Sequence, residues 1–314
     1  MTDLLVSIRN LRVEFETELS RTVAVRGISL DLHRHRTTAI VGESGSGKSV
    51  TAYSLMRLIQ RPGEITGGEI TFRPGNAEPF DILALPEKSQ ELQYLRGGRI
   101  AMIFQEPMTA LSPVHTIGDQ VMEALTVHRD ISREEAFETA TDMLDRVGIT
   151  DARARMDQYP FEFSGGMRQR VVIAMALVCT PELLICDEPT TALDVTVQAE
   201  ILSLIRELKQ AYDMSVLFIT HDLGVVAQIA DDVVVMRGGR ILETGTVRQI
   251  LRDPLHPYTR ALLSAIPGRE KRARLQTVSD QLGDIDTGKH PLLVLREGRQ
   301  VAMPRQEIPA EWLP

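Results

Sequence analysis

Aromatic residues make up only 4% of the 314-residue sequence, so its core is expected to be built from aliphatic side chains rather than stacked rings. Cysteine is scarcer still. Cys179 and Cys186 both sit in apolar runs and neither has metal-site spacing to another Cys or His, which reads as reduced core thiols in a cytosolic chain and excludes a disulfide framework. No window approaches 18 uninterrupted apolar residues, so no segment is expected to span a membrane. The opening "MTDLLVSIRNLRVEF" carries Asp3 and has no apolar stretch of signal-peptide length, so no secretory leader is expected. An excess of positive charge is missing too. With 35 Lys and Arg against 43 Asp and Glu, the net charge is -8, which argues against a broad nucleic-acid footprint and against attraction to anionic lipid. Neither an internal repeat nor a low-complexity tract interrupts the chain. What remains is an ordinary globular composition, 43% hydrophobic and 25% charged, long enough for one large α/β unit with additions.

The first quarter reads as strands: "LLVSIRNLRVEF", "VAVRGISLDL" and "GGEITFR" hold short alternating apolar stretches separated by Gly and polar residues. Between the second and third lies a short apolar strand, a Gly/Ser loop and an amphipathic helix bearing Leu55, Met56 and Leu58, which Pro62-Gly63 is expected to close. From about residue 113 to 163 the pattern turns helical. "SREEAFETATDMLDRVG" pairs Ser132 with Glu135 in a capping box, keeps Phe137, Ala140, Met143, Leu144 and Val147 at helical spacing, and stops at Gly148. Strands and helices then alternate: "ELLICDEP", "VTVQAEILSLIRELKQAYD", "MSVLFIT", "DLGVVAQIA", and a hairpin turning at Gly238-Gly239. Continuous apolar strands separated by helices predict a mainly parallel sheet covered on both faces. After Pro267 the sequence is polar and poorly periodic, until "PLLVLREGRQVAMP" offers one more hairpin.

Gly42-Glu43-Ser44-Gly45-Ser46-Gly47-Lys48-Ser49 fits G-x-x-x-x-G-K-[ST] in the context its mechanism requires, a strand before and a helix after. Glycines let backbone N–H groups curl around phosphate oxygens while the helix N-terminus points at the same charge. Lys48 then reaches the β- and γ-phosphates and Ser49 ligates Mg²⁺. Such a loop needs an acid at the end of a neighbouring buried strand. "LLICDEP" supplies Asp187 for the metal, and Glu188 directly after it to orient or deprotonate the attacking water. A second stretch, "EFSGGMRQR", puts Gly165 and Gly166 just after Ser164, itself a good N-cap. A helix start does not need two glycines, which add no packing, so something is expected to approach this backbone closely.

The ordered set of the loop at 42–49, "FQEP" with Gln105, "FSGGM" at 163–167, "LLICDEPTTALD" at 183–194 and "ITHDL" with His221 resembles an ABC-type ATPase over roughly residues 5–250. The resemblance implies an α/β P-loop NTPase core with a mainly parallel sheet, an N-terminal antiparallel β subdomain and a helical subdomain at about 113–163. It places ATP on Gly42, Ser44, Gly45, Ser46, Gly47, Lys48, Ser49 and Val50, with Phe15 as the adenine-stacking ring, a position that sheet packing would also explain. It sets Ser164, Gly165 and Gly166 against the γ-phosphate held by the loop of a facing subunit, and Asp194 across the same dimer interface. Gln105 would touch Mg²⁺ or the water and report occupancy to a membrane partner, and His221 would donate to the γ-phosphate. Phe163 and Met167 depart from the commoner L-S-G-G-Q, and Met167 removes a polar contact near the ribose.

"HPYTRALLSAIP" at 256–267, with "FEFSGGMRQRVVIAMAL" and "TTALDVTVQAEIL", resembles the ATPase subunits of bacterial dipeptide, oligopeptide and nickel importers. The division implied is an ATPase domain over 4–255 and an extension of that type over 256–314. Implied partners are two transmembrane permease subunits, a second ATPase subunit of the same or a related chain, and, indirectly, an extracytoplasmic substrate-binding protein, with no nucleic acid. The chain would sit peripherally on the cytoplasmic face of the inner membrane. Many such extensions carry a cysteine cluster. Residues 268–314 have no cysteine, so no iron–sulfur centre is expected. The competing reading is a soluble ABC ATPase that remodels a macromolecular complex.

Overall fold

The computed structural model of the chain describes residues 3–75, 77–105, 109–191, 193–264 and 290–313. Two compact units emerge, one made of Met1–Leu83 with Phe218–Pro314 and the other of Ala84–Leu217.

The first unit begins with β1 (Leu4–Glu16), β2 (Arg21–His33), β3 (Thr37–Val41), α1 (Lys48–Leu55), β4 (Gly63–Phe72) and β5 (Phe80–Asp81). β1, β2, β4 and β5 form an antiparallel sheet in the order β2-β1-β4-β5. The alternation legible in "LRV" is realised there, with Leu11 and Val13 buried and Arg12 exposed between them. β3 is buried at every residue and feeds directly into the phosphate loop. One expectation fails here. α1 stops at Leu55 rather than running to Pro62-Gly63, because Arg57 turns left-handed at φ 50° and Gly63 already belongs to β4, opposite Phe15. The apolar spacing of Met56 and Leu58 outlasts the helix that it resembles.

The second unit contains α2 (Gln90–Tyr94), β6 (Ile100–Ile103), α3 (Ile117–Thr126), α4 (Arg133–Arg146), α5 (Ala152–Arg155), α6 (Gly165–Leu177), β7 (Leu183–Asp187) and α7 (Val195–Ala211), and β8 (Ser215–Thr220) runs through its end. β6 and β7 pair in parallel from Ile100↔Leu183 to Ile103↔Cys186, and both are buried throughout. α4 has the expected capping box. The Ser132 hydroxyl accepts from the Glu135 N–H at 3.2 Å, and the Glu135 carboxylate accepts from the Ser132 N–H at 3.0 Å. α3 packs on α4 and α6. Cys179 and Cys186 are free and buried, and burial pushes both thiols above the usual range.

The first unit resumes with α8 (Leu223–Ile229), β9 (Asp232–Arg237), β10 (Arg240–Thr246), α9 (Val247–Arg252), α10 (Pro257–Ser264), β11 (Leu293–Val294) and β12 (Gln300–Val301). β3 pairs in parallel with β9, and Arg36 grips Asp232 through two bonds of 2.6 and 2.7 Å at the start of both strands. β9 and β10 are the hairpin expected at Gly238-Gly239, where φ is 52° and 77°. The hairpin read in "PLLVLREGRQVAMP" is also present, with β11 antiparallel to β12 and β12 antiparallel to β10. The polar stretch at 268–289 lies outside the described residues. The core around β3, β9 and α8 to α10 is aliphatic except for Tyr258. Among the described residues, no helix is long and apolar enough to cross a membrane.

Beside this core lies an ion pair, Arg299 with Glu243 at 2.6 Å, both side chains 0% exposed. Glu243 also accepts from the Leu255 and His256 N–H groups at 2.9 and 3.1 Å. Removing the carboxylate leaves the buried guanidinium with only Asp253, whose carboxylate is 3.6 Å away and half exposed, and strands two donors; breaking a buried pair on one side costs roughly 3–5 kcal/mol. Glu243→Ala is therefore expected to lose about that much stability in urea unfolding, against little or no loss when the exposed pair Arg153–Glu138 is broken.

Candidate functional site

The phosphate loop is held by backbone, and its glycines are there because backbone comes so near. A Cβ on Gly42 would lie 2.1 Å from the Met236 carbonyl oxygen, and one on Gly47 would lie 2.6 Å from that of Ala24. Gly47 also takes φ 98° as the N-cap of α1, a left-handed geometry that L side chains resist. The Gly239 N–H donates to the Ser46 carbonyl at 3.0 Å, so the β9–β10 hairpin braces the loop from one side. Ser44 and Gly45 are exposed at the tip, with Ser49 and Val50 half-buried in the first turn of α1. The Lys48 ammonium donates to the Gly42 and Glu43 carbonyls, both at 2.9 Å. The Ser46 hydroxyl is buried and has no hydrogen-bond partner among the described residues. A buried hydroxyl and a helix N-terminus lined by N–H groups suit a polyanion.

His221, directly after β8, is exposed, and Asp222 caps α8 by accepting from the Gly224 N–H at 2.7 Å. Phe15 has a packing role in view. It is half-buried, and its ring lies where a Cβ on Gly63 would come within 2.6 Å of it.

In the second unit Asp187 ends β7 with 0% exposure, and Glu188 follows at φ 48°. That left-handed residue turns the chain so that successive carboxylates need not face opposite ways. The Thr191 hydroxyl donates to the Glu188 carboxylate at 3.2 Å. Gln105 is exposed just beyond β6.

Ser164 caps α6, its hydroxyl accepting from the Met167 N–H at 3.3 Å. The second of the two glycines behind it is not needed by the fold around it. Gly166 has no left-handed φ, and a Cβ there would meet only Val197 Cγ1 at an ordinary 3.5 Å. The same α7 N-terminus is capped by Asp194, which accepts from the Thr196 and Val197 N–H groups at 3.0 and 2.9 Å. Asp194 thus has a role inside its own chain besides any at an interface, and the first turn that it caps faces Gly166 through Val197.

Two further residues escaped the sequence reading. Gln169, 0% exposed, donates through Nε2 to the Pro189 carbonyl at 3.0 Å, tying α6 to the turn after Glu188. Tyr258 reaches the phosphate loop from α10, accepting from the Glu43 N–H at 3.2 Å. A buried Gln in "GGMRQR" was the only signal for the first, and nothing local marked the second.

Residues 25–191 match the ABC transporter family, and residues 242–290 match the oligopeptide/dipeptide transporter C-terminal region. A Brucella melitensis relative, provisionally named a peptide import ATP-binding protein, is 51% identical over 90% of this chain and 83% of its own. The glutathione import ATP-binding protein GsiA of Escherichia coli O157:H7 is 52% identical over 83% of this chain and 42% of its own. Among solved structures, a dimeric ATP-binding cassette in a post-hydrolysis state with ADP and Pi has a TM-score of 0.66 at 25% identity, covering 78% of this chain and 99% of that one. The cbiO1 protein of Clostridium perfringens, part of the cbiONQ ABC transporter complex, also has a TM-score of 0.66, at 26% identity over 80% of this chain and 92% of its own.

Proposed function

Because the chain belongs to the ABC transporter ATPase family, we propose that it is the ATP-hydrolysing subunit of an importer for peptides or a related small solute. The observation that carries this reading is the pairing, in one chain, of a match to the ABC transporter family with a match to the oligopeptide/dipeptide transporter C-terminal region. Its ATPase domain would span 4–255, with a helical subdomain at about 113–163, and its extension 256–314. Two membrane permease subunits and a second ATPase subunit would complete the assembly on the cytoplasmic face of the membrane, supplied by an extracytoplasmic binding protein.

In this reading the phosphates of ATP lie on the N–H groups of residues 42–50. Lys48 leaves its two carbonyl partners to neutralise the β- and γ-phosphates, and Phe15 supports the adenine. Ser49, Asp187 and Gln105 would hold Mg²⁺, which when bound spreads the charge of the phosphoryl group in transit. Glu188 takes a proton from the attacking water, and His221 donates to the γ-phosphate oxygen. Ser164, Gly165 and Gly166 of one subunit close on the triphosphate in the facing subunit, so nucleotide joins the dimer and cleavage loosens it.

The glycines give a test with opposed signs. Gly166→Ala is expected to raise thermal stability, by about 0.5–1 kcal/mol from the lost backbone entropy of glycine. The same methyl should obstruct the facing triphosphate and depress ATPase activity by an order of magnitude or more, or roughly 1.4 kcal/mol and upward. Thermal unfolding and steady-state hydrolysis measured on one preparation would reveal both.

The importer itself is tested by affinity capture from detergent-solubilised membranes of the native host, with partners identified by mass spectrometry. Two multi-span membrane proteins, with or without a second ATPase, are expected. Ribosomal or DNA-bound partners without any membrane protein would overturn the importer and leave an ATP switch on a macromolecular complex.

A further inference from the structure

We propose that Tyr258 is a positioning residue for the phosphate loop, held in place by the C-terminal segment through a buried polar chain. The inference rests on the ATP-site reading of residues 42–50.

Glu43 is the point of contact. Its N–H donates to the Tyr258 hydroxyl at 3.2 Å, and its carbonyl accepts from Lys48 Nζ at 2.9 Å. One peptide residue therefore links the tyrosine to the ammonium meant for phosphate. The Glu43 carboxylate lies close enough to act on the hydroxyl electrostatically, and burial, the leading cause, pushes the phenol up to about 12, so the hydroxyl keeps its proton. Arg237 closes a triangle, its guanidinium 4.9 Å from the centre of the Tyr258 ring and 4.0 Å from the Glu43 carboxylate. A hydroxyl that merely needed a partner in the core would have been satisfied by any carbonyl. This one accepts from the main chain of the second residue in the loop.

The support behind Tyr258 is equally continuous. Its ring is 0% exposed and its N–H donates to His256 Nδ1 at 3.0 Å. Burial lowers the pKa of His256, which favours the neutral ring that acceptance at Nδ1 requires. The His256 N–H donates to Glu243, which accepts from Arg299 at 2.6 Å. Arg299 donates to the Asp253 carbonyl and lies 4.8 Å from the Trp312 ring centre. A shift in the segment carrying Arg299 and Trp312 thus has a packed, hydrogen-bonded route to Glu43, with each link inside one unit of the fold.

Tyr258→Phe keeps the ring and its contact with Arg237 but deletes the hydroxyl. In the full chain it is expected to weaken MgATP binding by calorimetry, and to raise KM, by about fivefold to tenfold with kcat within about twofold, since a loop misplaced in the ground state affects binding first. MgATP binding and KM within twofold of wild type in a folded Tyr258→Phe protein would overturn the proposal, as would a change confined to thermal stability. Should that variant fail to fold, Glu43→Ala decides. It removes only the carboxylate that faces Arg237 at 4.0 Å and acts electrostatically on Tyr258, and it is expected to raise KM by about twofold to threefold; an unchanged KM refutes the role. Lys48→Ala is the control that separates the two claims. If it leaves ATP binding intact, the phosphate-loop reading fails and the role of Tyr258 with it, whereas loss of binding in Lys48→Ala beside an unaffected Tyr258→Phe sinks the tyrosine alone.

Discussion

Lys48→Ala is expected to raise the dissociation constant for MgATP by about a hundredfold or more, because hydrogen bonds to a charged group contribute roughly 1.5–3 kcal/mol each and this ammonium would make at least two. Lys48 is 5% exposed, so its attraction to phosphate is little weakened by bulk water. The fold should tolerate the change. Alanine is a good residue for the first turn of α1, and the Gly42 and Glu43 carbonyls that lose a donor lie on a loop with exposed residues at its tip. Calorimetric titration of the folded variant is the check. Binding as tight as in the wild type would remove the premise on which every other functional assignment here depends.

The second large effect falls on turnover rather than binding. Glu188→Gln is expected to lower kcat by about 10²- to 10⁴-fold, the range that a positioned general base supplies, while MgATP affinity stays within a few-fold. Glutamine retains the volume of the side chain and an oxygen for the Thr191 hydroxyl, which donates to Glu188 at 3.2 Å. The left-handed backbone at φ 48° is also unaffected by a change at the end of the side chain. Single-turnover hydrolysis with bound nucleotide separates the two quantities. A variant that binds ATP and hydrolyses it at the wild-type rate would transfer the role of base to another group.

Much of this was legible because it is local. The strand, loop and helix around Gly42–Ser49, the capping box of Ser132 with Glu135 and the turn at Gly238-Gly239 are each specified by residues within a few positions of one another. The Ser-Gly-Gly turn was legible as a question, and the structure sharpens it: Gly166 has room for a methyl group that its sequence withholds. What could not be read is long-range. Tyr258 and Glu43 are 215 positions apart, and Glu243 and Arg299 are 56 apart. Charged residues are rarely buried unless paired, so no spacing rule marks Glu243 and Arg299 as a buried couple. The end of α1 failed for a related reason. Met56 and Leu58 keep helical periodicity because both are shielded by packing, and burial alone does not tell a helix from the turn that follows it.

The claim at the centre is that nucleotide joins two ATPase subunits through the Ser164–Gly166 turn. Light scattering on Glu188→Gln protein, in MgATP and then in MgADP, tests it most directly. The measurement is made on the chain alone and paired with any second ATPase recovered by membrane capture. The expected result is a two-subunit mass in MgATP and single subunits in MgADP, with the dimer abolished when Gly166→Ala is added. Single subunits in both nucleotides, by a protein that binds ATP, would contradict it.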